Sequence, residues 1–436
     1  MIKFVDLMNG KKVDLSLRGL FSSTIGKDIV WTLLGQITIM MCLLILNKVL
    51  SNVLTIEDFG QYNIIRKSSS VLSFVLLGGM GIALPRYLAI SISQIKTTKS
   101  ILIGSVLYLI FVDVLVLIGY LLLKPILCSI VTGSDSYSLY ILIYVYSLTT
   151  SLTSYLYAYY RGISKFKEFN ISQIVIQLSI MVTLIIPADG IVDYIFYWTV
   201  CHFLCLIFYA TKEYRKNKKL FAIKINRKEI EEYTKKMSIY SLPRMVGDFF
   251  LFAYSAFPLI YIGQKLSLTS VSFFSVGLTI FNLSNTVFSF LGIILLPLVS
   301  KMVAAQQINE ADKLINKILC IYLLIAASIL IVLLLFMPNV INLFFSDSYI
   351  GSSYLSRIIC FSILPSVFYY LYRNPNDAIS VFPFNTIILA ISFALLVLGF
   401  NLCHSLESYA IVYLFVSIFQ GLSSFVTWKI LVKMKK

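Results

Sequence analysis

Long apolar runs, separated by short polar or charged segments, recur along the whole chain. Runs near or above the ~20 residues that cross a hydrocarbon core cover 29–50, 68–90, 100–123, 137–160, 168–187 and 190–210. After a charged stretch, six more cover 238–262, 271–300, 314–336, 354–372, 383–402 and 409–432. Backbone polar groups in lipid must be satisfied within the segment, so each run is predicted to be a helix. The pattern predicts an all-α polytopic membrane protein with twelve transmembrane helices, spans one to twelve. Only Ala188-Asp189 parts the fifth span from the sixth, and the tenth contains Arg357 and Pro365.

Composition agrees with that reading. Hydrophobic residues make up 59% and charged residues 13%, against roughly 25% charged in soluble domains. The net charge of +16 calls for no nucleic-acid partner, because cytoplasmic loops of membrane proteins carry excess Lys and Arg. With both termini cytoplasmic, the amino arm, Arg161, Lys165, Lys167, the segment 211–237, Lys301, Lys313, Lys317 and the Lys429–Lys436 tail all fall inside. The exterior set is small: Lys48, Arg66, Lys67, Lys124 and Lys265. Removing one span would put the following basic loops on the wrong side. No cleavable signal peptide is expected, and residues 15–21 read either as a short amphipathic helix along the membrane surface or as a solvated arm. The seven cysteines lie in or beside apolar stretches and read as small core hydrophobes.

The basic segment divides the chain into an arm (1–28), an N-lobe (29–210), a linker (211–237) and a C-lobe (238–436). A shift of 212 positions aligns Gly35-Gln36 with Gly247-Asp248, Leu54-Thr55 with Leu266-Ser267, Tyr62 with Phe274 and Pro85 with Pro297. Each copy has an even number of spans, so the copies point the same way and are related by an axis along the membrane normal. Two pseudo-symmetric six-helix lobes around a central cavity is the expected architecture. In each copy a loop precedes an apolar segment that closes on a proline. The motif Glu57-Asp58-Phe59-Gly60 is placed in a corner outside the membrane, and Gly78, Gly79, Gly81 and Pro85 let span two bend, as Gly292 and Pro297 do for span eight.

The residues VLSNVLTIEDFGQYNI and GGMGIALPRYLA, with YSLPRMVGDFF, FSFLGIILLPLVSK and RNPNDAISVFPFN in the second half, resemble Wzx-type polysaccharide-export flippases. These belong to the multidrug/oligosaccharidyl-lipid/polysaccharide (MOP) exporter superfamily. The resemblance implies a V-shaped, cationic cavity. It also implies passage of an undecaprenyl-diphosphate-linked glycan, of O-antigen or capsule type, from the cytoplasmic to the outer leaflet of a bacterial inner membrane. Membrane lipid and the polymerase and chain-length proteins of the same route would be the partners, and no cofactor is called for.

Such a substrate needs cations for its diphosphate, hydrogen bonds for its sugars and an apolar groove for its tail. A cation held in a span usually faces a cavity or a partner, and guanidinium grips phosphate in a bidentate way. Arg86, Arg244 and Arg357 are the candidates. Arg86 is equally an interfacial anchor, and Arg244 has Asp248 four residues on, on the same helix face. Lys48, Arg66 and Lys67 read as outer-interface residues. Asp113, in FVDVLV with no charge near it in sequence, fits either proton coupling and charge balance or a protonated acid bonded to a neighbouring helix. His202 reads as a core histidine, because Cys201, His202 and Cys205 do not have zinc-site spacing. Helical spacing puts Asn170, Gln173 and Gln177 on one face of span five. It does the same for Asn282, Asn285 and Ser289 on span eight. Both faces are sugar-facing candidates or helix–helix contacts.

Two other classes compete. A cation-coupled multidrug exporter on the same fold would want more acids than Asp113 and Asp248 within its spans. A membrane polysaccharide polymerase would want a catalytic loop, and 211–237 carries no acid/base constellation. The segment from Gly19 to Lys27 lacks the spacing and the Ser/Thr of a phosphate loop. A transporter without catalysis is the expectation.

Overall fold

The computed structural model describes residues 3–5, 12–14, 24–91, 95–217, 227–380 and 382–435. The expected surface helix over 15–21 and the middle of the expected linker, 218–226, lie outside the described residues. Near the amino end, β1 (Lys3–Val5) pairs antiparallel with β2 (Lys12–Asp14), Lys3 opposite Asp14. Everything else of regular structure is helical.

Span one is α1 (Thr24–Val53); span two is broken into α2 (Ile56–Leu76) and α3 (Met80–Ser91). Span three is α4 (Ile95–Leu122), continued by the short α5 (Lys124–Thr132). Spans four to six are α6 (Tyr137–Gly162), α7 (Phe166–Thr183) and α8 (Ile191–Lys216). In the second half, α9 (Arg227–Lys265), α10 (Leu268–Ala304) and α11 (Ile308–Phe344) are spans seven to nine. Span ten is a 3₁₀ turn (Asp347–Ser352), α12 (Ser353–Cys360) and α13 (Ile363–Ile379); α14 (Phe384–Leu402) and α15 (Leu406–Lys435) complete the set. A helix thus stands at each of the twelve expected places. Among the described residues, nine are individually long and apolar enough to cross a membrane, and two bent pairs each qualify as one more. The remaining helix, α7, holds Glu168, Asn170, Gln173 and Gln177 among its 18 residues, which lowers its apolarity.

Two expectations for span two need correcting. The helix starts at Ile56, twelve residues before the expected 68. The cause is a reciprocal cap: the Asp58 amide donates to Thr55 Oγ1 at 3.1 Å, and the Thr55 hydroxyl donates to Asp58 Oδ2 at 2.7 Å. Such a cap satisfies N-terminal donors that a helix leaves free. Phe59, expected in an exposed corner, is 1% exposed and packs edge-on against Phe345 and Tyr349. Pro85 does not end the span either, since α3 runs on to Ser91. The bend lies earlier, where Gly78 and Gly79 take φ of 56° and 74°, a region nearly closed to residues with a Cβ. There α2 and α3 meet at 42°. The matching α10 runs unbroken through Gly292 and Pro297; the surroundings of those two fall outside the described side chains.

The 212-residue repeat is visible atom by atom. The Leu54 amide bonds the Leu50 carbonyl and the Leu266 amide the Ile262 carbonyl; Phe59 bonds Thr55 as Val271 bonds Ser267. The Ser270 amide donates to Ser267 Oγ at 3.1 Å, the counterpart of Asp58 on Thr55. A Cβ on Gly35 would press on Asn170 of span five, and one on Gly247 on Thr386 of span eleven. Each half therefore seats its first helix on its fifth through glycine.

By contact the chain groups into two compact units, each drawing on both halves. The first holds Met1–Leu46, Ser73–Leu122 and Tyr144–Leu242. Its core includes Leu84, Leu88, Ile101, Tyr108, Ala158 and Met237, so the start of α9 packs with α3, α4 and α6. The opposite side of α4, with Leu107, Phe111, Val114 and Ile118 all at half exposure or more, suits lipid contact. The second unit holds Asn47–Leu72, Leu123–Ile143 and Pro243–Lys436. There Asp312 Oδ1 accepts from Trp428 Nε1 at 2.8 Å and Lys429 Nζ at 2.7 Å, tying α11 to α15. Asp312→Ala leaves a buried indole donor and an ammonium without that acceptor. It is expected to lower stability by about 2 kcal/mol, read as a drop in the thermal unfolding midpoint of detergent-purified protein.

Candidate functional site

Arg86 lies on α3, exposed, with its guanidinium 4.3 Å from the centre of the Tyr240 ring. Tyr87 meets the same ring edge-on and donates to the Lys236 carbonyl at 3.3 Å. This cation–π contact gives Arg86 a protein partner at the start of α9. Arg244, its expected companion, and Asp248 fall outside the described side chains.

Arg357 sits in α12, three residues before that helix ends at a 48° bend into α13. Span ten begins at Asp347, so Arg357 lies ten residues in. Its Nε is buried without a hydrogen-bond partner. The early start of α2 moves Arg66 and Lys67 as well. They were expected at the outer interface, yet Lys67 is eleven residues into α2, about 16 Å along the axis at 1.5 Å per residue. Both are partly buried, and the flanking Ser68 and Ser69 have buried hydroxyls without partners. None of the ion pairs among the described residues involves Arg66, Lys67 or Arg357. The signal that would have found this pair was Thr55-x-x-Asp58, a helix start that hydropathy alone passes over.

Asp113 is partly buried on α4, with Oδ1 shielded and unpartnered. Tyr144, of which the ring packs 5.2 Å from Tyr120, donates to the Asp113 backbone carbonyl at 3.1 Å. His202 is a core residue: its Nδ1 meets the Thr153 hydroxyl at 3.3 Å and its ring lies edge-on to Tyr146. Among the described residues, no three His, Cys, Asp or Glu side chains gather as metal ligands.

The two polar faces separate by role. On α7, Asn170 donates to Thr32 at 3.2 Å, and Gln173 Oε1 accepts from Gln36 Nε2 at 3.3 Å. That face is joined to α1, while Gln177 keeps a buried, unpartnered Nε2. On α10, Asn285 is buried and accepts from the Ser366 hydroxyl at 2.6 Å, whereas Asn282 is exposed. Helical spacing put the two asparagines on one face, but only Asn285 reaches a neighbouring helix. A charged cluster not anticipated from sequence lies within the first unit. The nearly buried Glu213 accepts from Lys165 at 3.2 Å, Tyr159 at 3.3 Å and Asn217 at 3.1 Å.

The site thus gathers cations without ion-pair partners among the described residues, amides along helices and a twofold repeat. The polysaccharide biosynthesis protein family matches residues 25–303, well over half the chain. The chain belongs to that family. As a polysaccharide biosynthesis family member it shares its fold with MOP-superfamily transporters. One is an inward-facing multidrug resistance MATE family transporter, at 12% identity and TM-score 0.71, over 87% of this chain and 95% of that one. An outward-facing multidrug resistance MATE transporter aligns at 13% identity and TM-score 0.60, over 95% and 98%. A MOP superfamily transporter from Pyrococcus furiosus, described as having a binding pocket of reversed polarity, aligns at 14% identity and TM-score 0.65, over 98% and 99%. No curated protein matches the sequence. These likenesses show the fold: this family member is a multi-pass, all-α membrane protein with the twelve-helix fold of those transporters.

Proposed function

We propose that this exporter flips an undecaprenyl-diphosphate-linked oligosaccharide between membrane leaflets by alternating access of its two six-helix halves. The observation that carries the reading is the set of cations within the helices of spans two and ten, Arg66, Lys67 and Arg357, without acidic partners among the described residues. An unpaired cation in hydrocarbon is costly, and a diphosphate arriving there would offset that cost with charge-assisted bonds. Arg86 and Arg244 would serve at the linker-proximal ends, and Gln177 and Asn282 keep amide groups available to sugars. The family match to polysaccharide biosynthesis supports a glycan as cargo. With basic loops inside, the reading puts both termini in the cytoplasm of a bacterium and the protein in its inner membrane. Polymerase and chain-length proteins would receive the flipped unit.

A second reading, a cation-coupled multidrug exporter, draws on the shielded and unpartnered Asp113 Oδ1. One reconstitution separates the two. Proteoliposomes loaded with a defined lipid-diphosphate glycan are expected to translocate it, and Arg66→Gln, Lys67→Gln and Arg357→Gln to slow translocation about tenfold or more each, the worth of a charged hydrogen bond. Full glycan transport by all three variants, or movement of a cationic dye that depends on Asp113 with no glycan transport, would overturn the proposal.

A further inference from the structure

Lys48, near the end of α1, donates to the carbonyls of Asn342 and Phe345 at 2.5 Å each. Those carbonyls belong to the carboxyl end of α11, 294 residues away. Gln264, near the end of α9, donates to the Ser129 carbonyl in α5 at 3.0 Å. The repeat relates the two contacts. Shifting Ser129 by 212 gives Ile341, the neighbour of Asn342, and shifting Gln264 back gives Asn52, one turn beyond Lys48. In each case the first span of one half caps the third span of the other.

Between these arms the starts of α2 and α10 cross. Gly60 lies so close to Leu268 that a Cβ would strike its carbonyl oxygen, while Ser272 Oγ donates to the Ile56 carbonyl. The same shift takes Gly60 to Ser272 and Ile56 to Leu268. The contact is therefore made twice, once as bare backbone and once as a hydroxyl bond, about a local twofold axis. The Ser346 amide adds a bond to Ser51 Oγ at 2.9 Å.

We propose that these contacts form a two-armed latch at the linker-distal end, with Lys48 its dominant arm, and that releasing it opens this end of the transporter. The final carbonyls of a helix have no partner within it, so Lys48 donates to acceptors that closure satisfies and opening exposes. The Ser129 carbonyl met by Gln264, in contrast, also accepts from the Gly133 amide at 3.0 Å. The arms are unequal. Lys48 places a full charge at the negative end of the α11 dipole, and its bonds are charge-assisted. Gln264 makes one neutral bond. Two halves held together here by hydrogen bonds and glycine-tight backbone contact, without an ion pair among the described residues, can part and rejoin without stranding a buried acid.

The latch rests on the alternating-access reading, but its test does not depend on the cargo. Full-length protein with its native cysteines replaced is placed in nanodiscs and given one cysteine at position 51, where Ser51 is 4% exposed. A membrane-impermeant maleimide reports how often that site opens. Combining Lys48→Met with Gln264→Leu is expected to speed labelling at 51 about tenfold, the effect of losing a charged hydrogen bond on a two-state equilibrium. A cysteine at 100, where Ser100 is 0% exposed in the other compact unit, should label no faster. Lys48→Arg in place of Lys48→Met should restore protection. Equal labelling at 51 with and without the arms, or a parallel rise at 51 and 100, overturns the latch.

Discussion

Oxidation of a Ser51→Cys/Ser346→Cys variant, in a background free of native cysteines, is expected to stop transport, and reductant to restore it. The Ser346 amide reaches Ser51 Oγ at 2.9 Å, so the two residues are close enough for a bridge of ordinary geometry, in which Cα atoms lie up to about 7 Å apart. A hydrogen bond of about 1 kcal/mol is then exchanged for a covalent tie between the end of α1 and the segment after α11. Every cycle that needs the linker-distal end to part must fail. The measurement is glycan translocation in proteoliposomes before and after reduction. The cross-link itself is shown by proteolysis at a site engineered between 218 and 226. Full transport by the cross-linked protein would mean that the two ends need not separate.

Gly60→Val is the second large effect, and it acts on the fold. Its Cβ would fall inside contact distance of the Leu268 carbonyl oxygen and 2.9 Å from Ser272 Oγ. A backbone carbonyl cannot swing aside as a long side chain can, so α2 and α10 must move apart and the Ser272–Ile56 bond is lost. Overpacking with backbone displacement costs about 3 kcal/mol. Yield of monodisperse protein and the thermal unfolding midpoint should both fall sharply. Gly119→Ala is the control, since a Cβ there meets nothing within 4 Å. Equal losses from the two substitutions would remove the crossing from the account.

Much of the architecture was legible in the sequence because lipid imposes a coarse rule: about twenty apolar residues, then a break. The repeat was legible for a different reason. Turn and cap chemistry at Thr55 and Ser267 is local, and both copies retain a hydroxyl there. Helix starts were less visible. Hydropathy placed the start of span two at 68 because Glu57, Asp58, Arg66 and Lys67 dilute the window, while the cap at Thr55 had already begun the helix. That single displacement moved two cations from the loop expected before span two into the body of α2. Partners distant in sequence were not legible at all. Nothing near Lys48 hints at carbonyls 294 residues on, and the exposure of Asn282 beside the buried Asn285 depends on which helix happens to lie opposite.

The Gly60–Leu268 and Ser272–Ile56 pair also bears on descent. A contact repeated about a twofold axis is what two identical chains make when they associate face to face. The arrangement is the expected relic of a six-span ancestor that worked as a dimer before its gene was duplicated and fused. In such a dimer any change at the crossing or in the arms would have appeared twice. Fusion would release the copies from that constraint. One crossing position could then keep glycine while its twin took serine, and one arm could carry a charge while the other became an amide. A protein assembled from two first halves would put a lysine in both arms and glycine on both sides of the crossing, returning the end to strict symmetry.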